Sequence, residues 1–229
     1  VEGAEEGTPR RRVAAILAIG WALVVAVVLG LGWLITGPLQ AAVEPWDDAT
    51  VRWFAGERTA DLNEVADAGT LLGETIVGVA IGVLAAIALA LWSRSFRPVV
   101  FIALVLAGVG GCYGIATALI SRDRPPVRIL DPGLVPDDSF PSGHLGTAVA
   151  VYCGIALLLA WVAPRTRPWP WLLLVVPVVV ALARLYQGAH HPTDELASVC
   201  YAGAWLAVVR SQVLTRRPGA TGAGTSRPP

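Results

Sequence analysis

Residues 13–35 read VAAILAIGWALVVAVVLGLGWLI, twenty-three consecutive positions without a charge, and RRR precedes them at 10–12. As a helix this run is about 34 Å long, enough to cross a hydrocarbon core of about 30 Å. It is also too long for the apolar region of a cleaved signal peptide, so a retained helix is expected. Similar runs follow at Thr75–Trp92, Pro98–Ile120 and Leu145–Ala163. Two shorter ones, Pro168–Ala183 and Leu196–Val209, reach spanning length only by extending past Arg184 and Arg210, with Arg210 snorkelling to the interface. Pro177 should kink the fifth span, which a bundle tolerates. The expectation is an all-α, polytopic membrane protein with six transmembrane helices in a bundle.

Composition supports this. Hydrophobic residues make up 55% of the chain, charged residues 15%, and the mean hydropathy is +0.63. A single soluble core does not need that apolar surplus. The formal net charge is zero, which argues against nucleic acid as a partner. All basic residues are arginine, a bias that with abundant Ala, Gly and Pro points to a GC-rich, bacterial coding sequence and hence a plasma membrane. Cys112, Cys153 and Cys200 stand far apart in apolar runs and read as small buried hydrophobes, not as a disulfide or zinc set.

Arginine placement gives direction. With the N-terminus inside, the inner side receives eleven arginines and the outer side six, satisfying the positive-inside rule. Both termini are then cytoplasmic: a segment 1–12 before the membrane domain of 13–214, and a low-complexity, disordered tail over 215–229. The segment of about 36–68, with Trp46, Trp53, Phe54 and Leu62 among acids, is external and reads as a short amphipathic helix at the membrane surface, either a rim for incoming lipid or a connector.

Three polar clusters fall on that outer side: SRDRPP (121–126), FPSGH (140–144) and ARLYQGAHHPTD (183–194). Ionisable groups at a membrane edge are costly and mark function. Arg124 and Arg184 offer planar forks suited to phosphate oxygens. Ser142 and Gly143 open a helix whose free N–H groups favour an anion. Histidines serve as nucleophile and acid/base, and Asp194 is placed to hold a histidine tautomer. Taken singly, Ser142 also reads as a helix N-cap, Asp194 as a first-turn acid and Arg184 as an interface arginine. Those readings leave unexplained why all three clusters share one face. No carboxylate set with metal-ligand spacing accompanies them, so no metal or other cofactor is expected.

These stretches resemble the type-2 phosphatidic acid phosphatases, membrane lipid phosphatases whose pattern is K-x6-R-P, P-S-G-H and S-R-x5-H-x3-D. The match falls at Arg124-Pro125, at PSGH (141–144), and at Arg184, His190 and Asp194, and the likeness extends over about 69–209. The spacing selects His190 over His191. The resemblance implies that His190 attacks phosphorus, that Asp194 orients His190, and that His144 protonates the leaving oxygen and then activates water. It further implies that Arg124, Arg184, Ser142 and the N–H of Gly143 hold the phosphoryl oxygens without a metal. Two positions depart from the pattern: Thr117 replaces the lysine and Ala183 the serine. Arg122 is expected to restore part of the missing charge. The expected substrate is a lipid phosphate: phosphatidic acid, phosphatidylglycerol phosphate or a polyprenyl diphosphate. A phosphotransferase on the same site, a vanadate-dependent haloperoxidase and a non-catalytic binding or transport protein remain as alternatives, and the oligomeric state is left open.

Overall fold

The computed structural model describes residues 7–131, 134, 138–164 and 168–215. Arg165, Arg167, Arg216, Arg217 and Arg227, five of the arginines that set the expected direction, lie outside them, as do residues 1–6 and nearly all of the expected tail. The described residues form eight helices and no strand: α1 Gly7–Thr36, α2 Gln40–Gly56, α3 Ala60–Gly73, α4 Thr75–Ser93, α5 Arg97–Leu119, α6 Gly143–Val162, α7 Trp169–Tyr186 and α8 Pro192–Val213. Six of them, α1 and α4–α8, are long and apolar enough to cross a membrane.

The fifth and sixth spans do extend past the arginines that bounded them in the sequence: α7 runs past Arg184 to Tyr186, and α8 runs past Arg210 to Val213. Pro177 acts one turn before itself. Its missing N–H would have bonded the carbonyl of residue 173, and Trp169–Leu174 winds as a 3-10 helix before the α-helix begins at Val175. A π-helical turn, Val149–Cys153, interrupts α6.

Helix α5 is the central post. Phe101, Ile102, Val105, Val109, Cys112 and Ala116 on it are buried against Val24 and Val28 of α1, Leu145 and Leu158 of α6, and Tyr201 and Leu206 of α8. Lipid is as apolar as these side chains, so close backbone approach and hydrogen bonds must hold the helices together. Two indoles supply such bonds: Trp21 Nε1 donates to the Gly108 carbonyl at 3.0 Å and Trp205 Nε1 to the Leu104 carbonyl at 2.9 Å.

Two expectations need correction. The segment at 36–68 is not one short surface helix but two, α2 and α3, the second reaching Gly73. Both dock on the bundle: Arg58 Nε and Nη2 donate to the Tyr186 carbonyl at 3.1 and 2.9 Å, and the Tyr186 hydroxyl donates to Asn63 at 2.8 Å. Trp46 and Trp53 stay exposed. Of the cysteines, all free, only Cys112 is buried; Cys200 lies on an outward face of α8. A thiol is apolar enough to stand against lipid.

The α5–α8 contact yields a test. A Cβ at Gly108 would collide with the Trp205 ring, whereas one at Gly114 meets nothing within 4 Å. Overpacking costs about 1–3 kcal/mol, more than the roughly 1 kcal/mol an alanine gains in helix propensity. Gly108→Ala should lower the unfolding temperature of the detergent-solubilised protein by a few degrees, and Gly114→Ala should not. Equal temperatures would show that the two helices have room to part.

Candidate active site

The three polar clusters meet at one end of the bundle. A cavity of about 760 Å³ is lined there by Arg124, Gly143, His144 and His190, together with Asp67, Thr70, Glu74 and Asp131 at its polar side. Below them Val79 of α4 and Leu106, Val109 and Gly110 of α5 continue the wall as an apolar slot.

Local chain geometry delivers His190. Helix α7 ends in a Schellman turn: Ala189 N–H reaches the Arg184 carbonyl at 3.0 Å, Gly188 N–H the Leu185 carbonyl at 3.1 Å, and Gly188 takes φ +73°. Only glycine adopts that angle without strain. The turn throws Ala189–His191 back across the helix end. Arg124 Nη1 then donates to the Ala189 carbonyl at 2.6 Å, tying the first cluster to the third.

His190 Nδ1 lies 2.7 Å from the Ser139 carbonyl. A carbonyl only accepts, so Nδ1 carries the proton and Nε2 keeps its lone pair. Burial first, and the Arg184 charge second, push this imidazole down to about 3 against the opposing pull of Asp194. It is neutral at pH 7.

Asp194 makes no hydrogen bond to His190, on which it acts only through its charge. Its Oδ2 accepts the His191 backbone N–H at 2.8 Å and lies 3.3 Å from His191 Nδ1, the capping box that starts α8. The acceptor on His190 is instead a main-chain oxygen, for which the sequence carries no signal. Ser142 is likewise the N-cap of α6: its hydroxyl accepts Leu145 N–H at 3.4 Å, and its side chain does not line the cavity. Arg184 is fully buried just behind the wall. Its Nη1 donates to Asp131 at 2.8 Å and to Gln187 at 3.0 Å, while Nε and Nη2 have no hydrogen-bond partner among the described residues. Gln187 is held in turn by Thr70 and Asp67 of α3, at 2.7 and 2.8 Å. The arginine is thus fixed by groups that sequence reasoning missed.

Arg122 is the clear correction. It does not line this cavity. Its Nη2 donates to Asp47 at 2.6 Å, and its Nη1 to Thr193 at 2.7 Å and to Asp194. Two carboxylates consume the charge that was to replace the missing lysine. Thr117 turns its hydroxyl onto its own helix, bonding the Tyr113 carbonyl at 3.0 Å. Tyr113, one turn earlier, lines the cavity and packs over Gly143. Ala183 has a packing reason: it meets Gly69 where α3 crosses α7.

The family profile of the PAP2 superfamily matches residues 98–218, more than half of the chain and all three clusters. The chain belongs to the PAP2 superfamily. It is 31% identical over 130 residues to the undecaprenyl-diphosphatase BcrC of Bacillus subtilis, covering 52% of this chain and 61% of that one. It is 33% identical over 94 residues to an undecaprenyl-diphosphatase of Sulfolobus acidocaldarius (41% of each chain), and 33% over 79 residues to a lipid A 1-phosphatase of Rhizobium johnstonii (34% and 29%). These matches span from 29% to 61% of the relatives' lengths. The fold agrees with a crystal structure of a transmembrane PAP2-type phosphatidylglycerolphosphate phosphatase from Bacillus subtilis, at TM-score 0.74 and 24% identity over 83% of this chain and 94% of that one. This is a multi-pass membrane protein of PAP2 fold.

The depressed His190 makes a stability prediction. Between about pH 3 and the ordinary histidine value the unfolded chain binds a proton that the folded chain refuses, so stability falls as pH falls through that window. The slope for one such group approaches about 1.4 kcal/mol per pH unit. Unfolding temperatures measured from pH 7 to 5 should drop less steeply in His190→Asn than in the native protein. Identical slopes would mean that His190 is not held neutral.

Proposed function

We propose that this chain is an integral-membrane phosphatase that hydrolyses a lipid phosphate monoester or diphosphate through a phosphohistidine at His190. The observation that carries the reading is the Nδ1–H bond to the Ser139 carbonyl, which leaves Nε2 as a neutral nucleophile on a residue sharing one cavity with His144 and Arg124. Nε2 attacks phosphorus while the bond to the lipid oxygen breaks, and His144 donates a proton to that oxygen. His144 then takes a proton from water, the oxygen attacks phosphorus, and the N–P bond breaks to release inorganic phosphate and neutral His190. Arg124, Arg184 and the Gly143 N–H supply the positive charge around the transferred group, so the step needs no metal. The apolar slot between α4 and α5 suits the lipid chain. Because the PAP2 relatives named above include two undecaprenyl-diphosphatases, a polyprenyl diphosphate stands first among the substrates to screen, before phosphatidic acid and phosphatidylglycerol phosphate.

His190→Ala should abolish phosphate release by several orders of magnitude, as loss of one member of a cooperating catalytic unit does. His191→Ala should retain most of it, because Asp194 holds the backbone N–H at 191 and not only the ring. The reverse ranking would refute the register. Activity should also survive EDTA; loss that Mg²⁺ restores would refute the metal-free step.

We further propose that the site faces outward. A cysteine at exposed Glu57, on the site side, should react with an impermeant reagent in intact cells, in a background lacking the three native thiols. One at Ser95, in the turn between α4 and α5, should react only after the membrane is opened. Reversed labelling would place the substrate in the inner leaflet.

A further inference from the structure

We infer that Asp47, on the external helix α2, is a positioning residue for the nucleophile, acting through Arg122. This rests on the reading of His190 as nucleophile. Asp47 is fully buried, unusual for a carboxylate on a membrane-surface helix. Its Oδ1 accepts the Thr193 N–H at 3.1 Å, and its Oδ2 accepts the Thr193 hydroxyl at 2.5 Å and Arg122 Nη2 at 2.6 Å. Arg122 Nη1 continues to Thr193 and to Asp194, the carboxylate that fixes the His191 backbone. The other end of Arg122 is equally placed: its carbonyl accepts the Ser139 N–H at 2.8 Å, and the Ser139 carbonyl is the acceptor for His190 Nδ1. One residue therefore joins both supports of His190, the oxygen that sets its tautomer and the helix start that sets its backbone.

Asp47 is what makes that clamp rigid. Without Asp47, Arg122 would be held through Nη1 alone, on Thr193 and Asp194; the second carboxylate, from a different helix, takes Nη2 and fixes the guanidinium plane. Buried ion clusters of this kind add little net stability over apolar packing, because desolvation offsets attraction. What the cluster adds is a unique arrangement. Misplacing a reacting atom by about 1 Å costs on the order of 100-fold in rate.

The test is Asp47→Asn, which keeps shape and an acceptor oxygen but removes the charge. Phosphate release should fall about 10- to 100-fold in kcat, with KM and the dissociation constant of vanadate unchanged within about threefold, since the phosphate-binding arginines are untouched. In a cycle with Asp194→Asn, the double variant should be no slower than Asp194→Asn alone. An unchanged kcat, effects that multiply, or a parallel loss of vanadate binding and kcat would each overturn the inference. Should Asp47→Asn fail to fold, Thr193→Val removes one arm of the same cluster and should lower kcat alone; an unaffected kcat there is equally fatal. A native protein that releases no phosphate from any lipid strikes the parent reading, whereas an active native protein insensitive at Asp47 strikes only this one.

Discussion

A backbone carbonyl, that of Ser139, decides what His190 is able to do. A carbonyl accepts a hydrogen bond and does not compete for the proton, so the neutral ring carries its hydrogen on Nδ1 and keeps its lone pair on Nε2. A carboxylate in its place would stabilise the imidazolium and raise the pKa; the carbonyl, in a buried setting beside Arg184, leaves the ring neutral. The cost is that a carbonyl is only as well placed as the chain that bears it. The rest of the site answers that requirement: the Ser139 amide is bonded to Arg122, the Ser139 hydroxyl to the Asp123 carbonyl at 3.1 Å, and Asp138 caps Ser121 and Arg122 at 2.7 and 3.0 Å.

This arrangement explains why the spans and the clusters were legible in the sequence while the connections within the site were not. Apolar runs register bilayer thickness directly, and even the short fifth and sixth runs extend in the direction their flanking arginines allowed. His144, His190 and Arg124, singled out by their types and spacing, line one cavity. Ser139 could not be read, since its contribution is a main-chain atom. Asp47 could not, because nothing in EPWDDAT separates a carboxylate turned into the protein from exposed Glu44 or half-buried Asp48. Arg122 was misread for a related reason: charge near a motif indicates where a cation is, but not which anions already hold it.

Asp194 shows the same limit in a sharper form. As N3 of α8 it satisfies a backbone N–H, the ordinary duty of a first-turn acid, and as partner of Arg122 it joins the clamp. Both readings available from sequence were local ones. The structure keeps the first-turn role and, in place of a bond to His190, adds one to Arg122, because the start of α8 and the loop after α5 converge within the reach of one side chain.

Charge around the cavity sets a further constraint on what enters. Asp67, Glu74 and Asp131 line it beside Arg124, and Asp131 is paired at 2.8 Å with Arg184, which is wholly buried. Charges at the wet rim are screened within about 8 Å at physiological salt, whereas those inside are screened far less. Val79, Leu106 and Val109 line the same cavity as Arg124, so apolar wall and cation share one space. For the phosphatase reading proposed above, this pairing of an apolar wall with buried positive charge suits a molecule that carries an apolar chain and an anionic group side by side.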